Sequence, residues 1–319
     1  MKNKLLILTA CLFVYTLTSA QTLTKNQIVE ITTQIENLIG SNYVIKEKRP
    51  EIVELFNRNV KNGKYFSIIN PDSLASALST DLKEISNDGH LYVKHLKNPA
   101  NTNEIYNWEK EELDREIRFN YGFREVQILD SNIGYINIVE FMHPKRSMQT
   151  AIAAMKLVEN TSSLIIDLRG NRGGYPGIME YLLNHYFEGE PTLLSTTYFS
   201  DPKMNPITTY SSDLIYGKLR IGTPLYILID KKTASAAEYF AYTLQAHKKA
   251  IIVGEGSSGA TNMNTFFTLP NNFRISISTE MPIIEITKTN WEGIGVLPDF
   301  VVTSEDAKRT AIGLINNSK

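Results

Sequence analysis

Hydrophobic positions along this chain follow two rhythms. From about Thr24 to Asn87 they recur at three- and four-residue steps, the period of one helix face. Leu74, Leu78, Leu82 and Ile85 form the clearest such series. It follows "NPDS", where Pro71 and its polar neighbours suit a helix start. Segments from about Lys25 to Ile39 and from Pro50 to Val60 repeat the pattern, so this part reads as a small helical bundle. "NDGH" (Asn87 to His90) ends it with turn residues, and "LYVKHL" then reads as a strand. From about Phe123 the rhythm changes to short, continuous apolar runs alternating with helical stretches. "IGYINIVEF", "SLIIDL", "PLYILID", "KAIIVGE" and "FRISIST" read as strands. "MQTAIAAMKLVEN", "IMEYLLNHYF", the stretch after Ser235 and Ser304 to Asn316 read as helices. Apolar strands alternating with helices predict an α/β core whose sheet is covered on both faces.

Composition narrows the picture. The 319 residues are 42% hydrophobic with a formal net charge of -1. Nothing there points to a nucleic-acid partner or an anionic membrane surface. The N-terminus, "MKNKLLILTACLFVYTLTSAQ", has two lysines, an apolar run and small residues up to Ala20. That layout predicts a signal peptide over residues 1–20 and an exported, periplasmic or secreted, mature chain with no integral membrane segment. "LTAC" offers an alternative lipoprotein cleavage at Cys11. Cys11 is the single cysteine, so the mature chain is expected to carry no disulfide, thiol nucleophile or thiolate metal site. Its five histidines show no paired metal-ligand spacing, and no metal or organic cofactor is expected.

Four groups carry candidate chemistry. Ser235 follows a strand and a tight turn and opens a helix, the arrangement that exposes a nucleophile where free amides favour negative charge. With Glu238 it also spells S-x-x-E, a capping box that requires no catalysis; both readings stay open on these residues alone. "DLRGNRGGYPG" (Asp167 to Gly177) sets four glycines between a strand and a helix. It reads either as an oxyanion cradle or as a tight connection, and its spacing is not that of a nucleotide loop. His90 sits in a turn, as an exposed base or an inert side chain. Glu292, in "NWEGIGVLPD", lies among loop glycines, either orienting an imidazole or merely solvated.

Taken together, "SLIIDLRGNRGG", "TASAAEYFAYTLQAHKKAIIVGEGSSGATN" and "EGIGVLPD" resemble the core motifs of the C-terminal-processing (tail-specific) serine peptidase superfamily. "DGHLYV" resembles the histidine motif of its tricorn-core and interphotoreceptor-retinoid-binding-protein-like branch. The resemblance runs from about Asp88 to Phe300, in family order. It implies a crotonase/ClpP-like α/β catalytic domain with Ser235 as nucleophile, His90 as general base and Glu292 as its acidic partner. The amides of Gly174 and Ala236 would form the oxyanion hole, and the substrate would be a peptide or protein. The serine–lysine branch of the family carries a lysine where "GEGSSGAT" has Ala260, which disfavours a dyad. The interval between His90 and Asp167 is too short for the PDZ domain of many relatives. The expected organisation is a signal peptide (1–20), a helical domain (21–90) and a catalytic domain (91–319). The expected activity is that of an exported serine peptidase, with an inactive relative binding an apolar ligand or peptide as the alternative.

Overall fold

The computed structural model describes residues 22–96 and 102–318, with side chains after the gap described from residue 109. The leader read at residues 1–20, Cys11 included, lies outside the described residues. Helix α1 (Lys25–Asn42) opens with a capping box in which Thr24 accepts the Gln27 amide and Gln27 accepts that of Thr24. Helix α2 (Arg49–Lys61) follows, and α3 (Pro71–Ser86) starts at an Asn70 cap with Pro71 in its first turn. Asn87, left-handed at φ 53, stops α3. Strand β1 (Tyr92–His95) leads to α4 (Thr102–Arg118), a helix the apolar periodicity did not announce.

The second half contains β2 (Phe123–Leu129), β3 (Ile133–Ile138), α5 (Pro144–Leu157), β4 (Ser163–Asp167) and α6 (Pro176–Asn184). Then come β5 (Leu193–Phe199), β6 (Ile207–Tyr210), β7 (Leu225–Ile229), α7 (Ala236–Ala246) and β8 (Ile251–Gly254). Strands β9 (Met263–Leu269), β10 (Phe273–Ile284) and β11 (Phe300–Val301) precede the last helix, α8 (Ala307–Asn317).

These strands form two sheets. One has the order β11-β8-β7-β4-β3-β2, parallel except for the β2–β3 pair. Its apolar runs are buried on both faces, as parallel strands require. Leu164, Ile166, Ile227 and Ile229 face a core shared with α5, α6 and α7, while Ile165, Tyr226 and Leu228 face α8. The other sheet is antiparallel, β1-β10-β5-β6 with β9 also on β10. Its β10 is a twelve-residue strand, longer than "FRISIST" suggested.

The N-terminal helices do not close on themselves. Ile28, Ile31, Ile35, Ile39, Phe56, Leu74 and Leu78 share one core with Phe273, Ile275 and Ile277. The helices therefore depend on a strand some two hundred residues later. Ile275→Ala is expected to cost about 2–5 kcal/mol through cavity creation. Amide-exchange protection should fall in α1–α3 as well as in β10.

Candidate active site

Two loops at the carboxyl ends of β4 and β7 are stitched together. Asp230 Oδ1 accepts the Gly170 amide at 2.9 Å, and Thr233 Oγ1 donates to the Leu168 carbonyl at 2.9 Å. Asn171 is the central tie. Its side chain donates to the Ile138 carbonyl and accepts the Gly173 amide at 2.8 Å, while its own carbonyl accepts Ala234 N–H at 3.0 Å. The contact is so close that a Cβ on Gly173 would stand 2.8 Å from that of Ser235. At Gly174 (φ 126), a Cβ would meet the Phe141 carbonyl oxygen at 2.0 Å. These two glycines are required by close approach, not by loop flexibility.

Ser235 sits at φ 55, ψ -123, just before α7. That region is natural only to glycine, and holding another residue there costs about 1–3 kcal/mol. The turn is held by Glu238, a fully buried side chain. Its carboxylate accepts hydrogen bonds from Ser235 N–H (2.8 Å), Ser257 Oγ (2.5 Å), Gly259 N–H (2.6 Å) and Ala260 N–H (2.9 Å). The S-x-x-E box is therefore present, and it braces a strained serine rather than a relaxed cap.

Ser235 lines a cavity of about 400 Å³ together with His90, Gly174 and Ala236. Four of the five residues singled out from sequence thus share one hollow. The histidine comes from the other layer of the molecule. Asp88 Oδ1 accepts the His90 amide at 2.7 Å, and Ser276 Oγ of β10 donates to its carbonyl at 2.5 Å. Glu292 does not line the cavity. Its Oε2 accepts the amides of Thr261 (2.7 Å) and Asn262 (2.9 Å), which do. Ala260, which the sequence resemblance sets at the dyad lysine's position, is buried beside Gly89, and no lysine lines the cavity among the described residues.

Electrostatically the site is under strain as well. Burial lowers the His90 pKa, opposed by the charges of Asp88 and Glu238. Burial, with the neighbouring charge of Asp88, raises that of Glu292 to about 8 despite its two amide donors. Three buried atoms, His90 Nδ1, Asp88 Oδ2 and Glu292 Oε1, have no hydrogen-bond partner. Tyr43 reaches the same group from α1's end, its phenol raised in pKa by burial and by the charges of Asp88 and Glu292. The sequence reading did not single out Asp88; its only local signal is its place in a turn two residues before His90. Asn262 was missed too. It is fully buried at the cavity wall with both polar side-chain atoms unpartnered.

Among the described residues, no group of three or more His, Cys, Asp or Glu side chains could hold a metal ion. Likewise no helix there is long and apolar enough to cross a membrane.

Two outcomes follow from this geometry. Ser235→Gly should be more stable than Ser235→Ala by about 1–2 kcal/mol, since glycine escapes the strain but loses more chain entropy; paired denaturant titrations measure the gap. Glu292 binds its proton more tightly folded than unfolded, so it lowers stability progressively as pH rises from about 4.5 to about 8. Thermal melts across that window should show wild type losing ground to Glu292→Gln as pH rises, and parallel curves would contradict the raised pKa.

Comparison with known proteins bears on the family and the fold. The model of peptidase family S41 matches residues 132–302, and that of the N-terminal domain of peptidase S41 in eukaryotic IRBP matches residues 17–119. A carboxy-terminal-processing protease of Bartonella bacilliformis is 30% identical over 182 residues, covering 54% of this chain and 39% of its own. The chain spans about two fifths of the length of the first curated relatives it matches. A solved structure from Parabacteroides merdae shares the fold at TM-score 0.63 and 20% identity, over 92% of this chain and 96% of the other. A lipoprotein from Streptococcus agalactiae does so at 0.57 and 17%, over 91% and 96%. With the first of those family models spanning more than half of its length, the chain belongs to peptidase family S41.

Proposed function

We propose that this chain is an exported serine peptidase that cuts peptide bonds at Ser235. The observation that carries the reading is the strained backbone of Ser235 at a helix mouth, lining one cavity with a histidine and two oxyanion candidates. Strain of this kind persists only where the surroundings enforce it, and it marks functional turns.

In this reading Ser235 Oγ attacks the peptide carbonyl carbon while His90 takes its proton. The amides of Gly174 and Ala236 receive the developing oxyanion, a preorganised donor being worth about 3–4 kcal/mol of barrier. The imidazolium returns the proton to the amine nitrogen as the C–N bond breaks. Water then attacks the acyl-enzyme, His90 takes its proton and passes it to Ser235 Oγ as the acyl C–Oγ bond breaks, releasing the carboxyl product and the free serine. In this reading Glu292 orients the imidazole once its free Oε1 meets the unpartnered Nδ1 of His90, with Asp88 fixing the histidine's backbone. The leader expected at residues 1–20 and the carboxy-terminal-processing relatives support export and a protein substrate.

Ser235→Ala should abolish both peptide hydrolysis and labelling by a serine-directed phosphonate, while its circular dichroism stays that of the wild type. Turnover that survives this change would remove the reading.

A further inference from the structure

The cavity extends from Ser235 between α6 and the antiparallel sheet, and its lining is uneven in charge. Met179, Pro282 and Trp291 supply apolar wall, while Ser195, Thr197 and Thr209 supply hydroxyls. No lysine or arginine lines it, yet Glu180 of α6 does. Glu180 is a solvent-exposed residue whose carboxyl is partly desolvated against the cavity wall. Desolvation alone raises its pKa, with no cation or hydrogen-bond donor offsetting it. Its charge is felt at the Tyr239 hydroxyl, which is hydrogen-bonded to Ser195 Oγ at 2.8 Å. Thus one carboxylate stands without an ionic partner in an otherwise neutral, partly apolar hollow.

We propose that Glu180 makes this cavity selective for a basic side chain, lysine or arginine, on the acyl side of the bond cut at Ser235. The inference rests on the peptidase reading and adds the substrate class to it. Position argues for the acyl side: α6 starts two residues after Gly174, so its first turns run beside the oxyanion end of the site. Chemistry argues for the basic class. A lysine or arginine lays its methylenes along Met179, Pro282 and Trp291 and brings its cation to Glu180. An apolar side chain of the same length would desolvate that carboxylate without a partner, and an acidic one would repel it.

The test uses two fluorogenic peptides that differ only in lysine or norleucine before the scissile bond. Wild type is expected to favour lysine in kcat/KM by about ten- to a hundredfold, the range of one hydrogen-bonded charge. In Glu180→Gln that ratio should fall to near one. Equal cleavage of the pair, a preference set by the residue after the bond, or a ratio unmoved by Glu180→Gln overturns the inference and leaves the peptidase reading intact. Calorimetric binding of the same peptides to Ser235→Ala separates the two claims. Tighter lysine binding that Glu180→Gln removes supports the inference even if nothing is cut, in which case only the peptidase reading fails. Equal binding together with no cleavage overturns both.

Discussion

A single buried carboxylate organises the site. Glu238 gathers four donors, one from the serine turn and three from residues 257–260. Burying those polar groups unpaired would be expensive, so the turn and the loop are obliged to meet. The consequences spread outward. The fixed loop presents the Thr261 and Asn262 amides that hold Glu292, and the Gly259 carbonyl accepts the Gly293 amide at 2.8 Å. The elbow, the cavity wall and the acidic segment are therefore aligned by one side chain that does not itself line the cavity.

The fold supplies the remaining geometry by bringing together two layers. The parallel sheet delivers the glycine loop and the serine turn from the carboxyl ends of β4 and β7, where open α/β sheets place their ligands. The antiparallel sheet and the α1–α3 helices deliver His90, anchored on Ser276 of β10. Because those helices share their core with β10, the histidine is positioned by the same packing that stabilises the N-terminal part. Burial then acts in opposite senses on the two titrating groups, disfavouring the charged form of each. It lowers His90 and raises Glu292.

Much of this was legible in the chain. The 3.6-residue period at Leu74, Leu78 and Leu82, the Pro71 start and the apolar runs at 164–168 and 225–229 predicted elements that the structure contains, because each depends on neighbours a few residues away. Ser235, His90, Gly174 and Ala236 were named from local motifs, and all four line one cavity. Helix α4, by contrast, shows a weak apolar stripe and was passed over. The length of β10 was underestimated because its later residues, "EMPII", include a charge and a proline.

What the residues determined by themselves is the set of local conformations and the chemical types available: a serine at a helix start, glycines where backbones crowd, a turn histidine, a loop acid. What only the folded chain decided is which of them become neighbours. Three of the four bonds of Glu238, the nearness of Asp88 to Glu292 and the isolation of Glu180 arise between separate segments of the chain. Periodicity and spacing report contacts along the backbone, whereas burial and charge pairing are set across it.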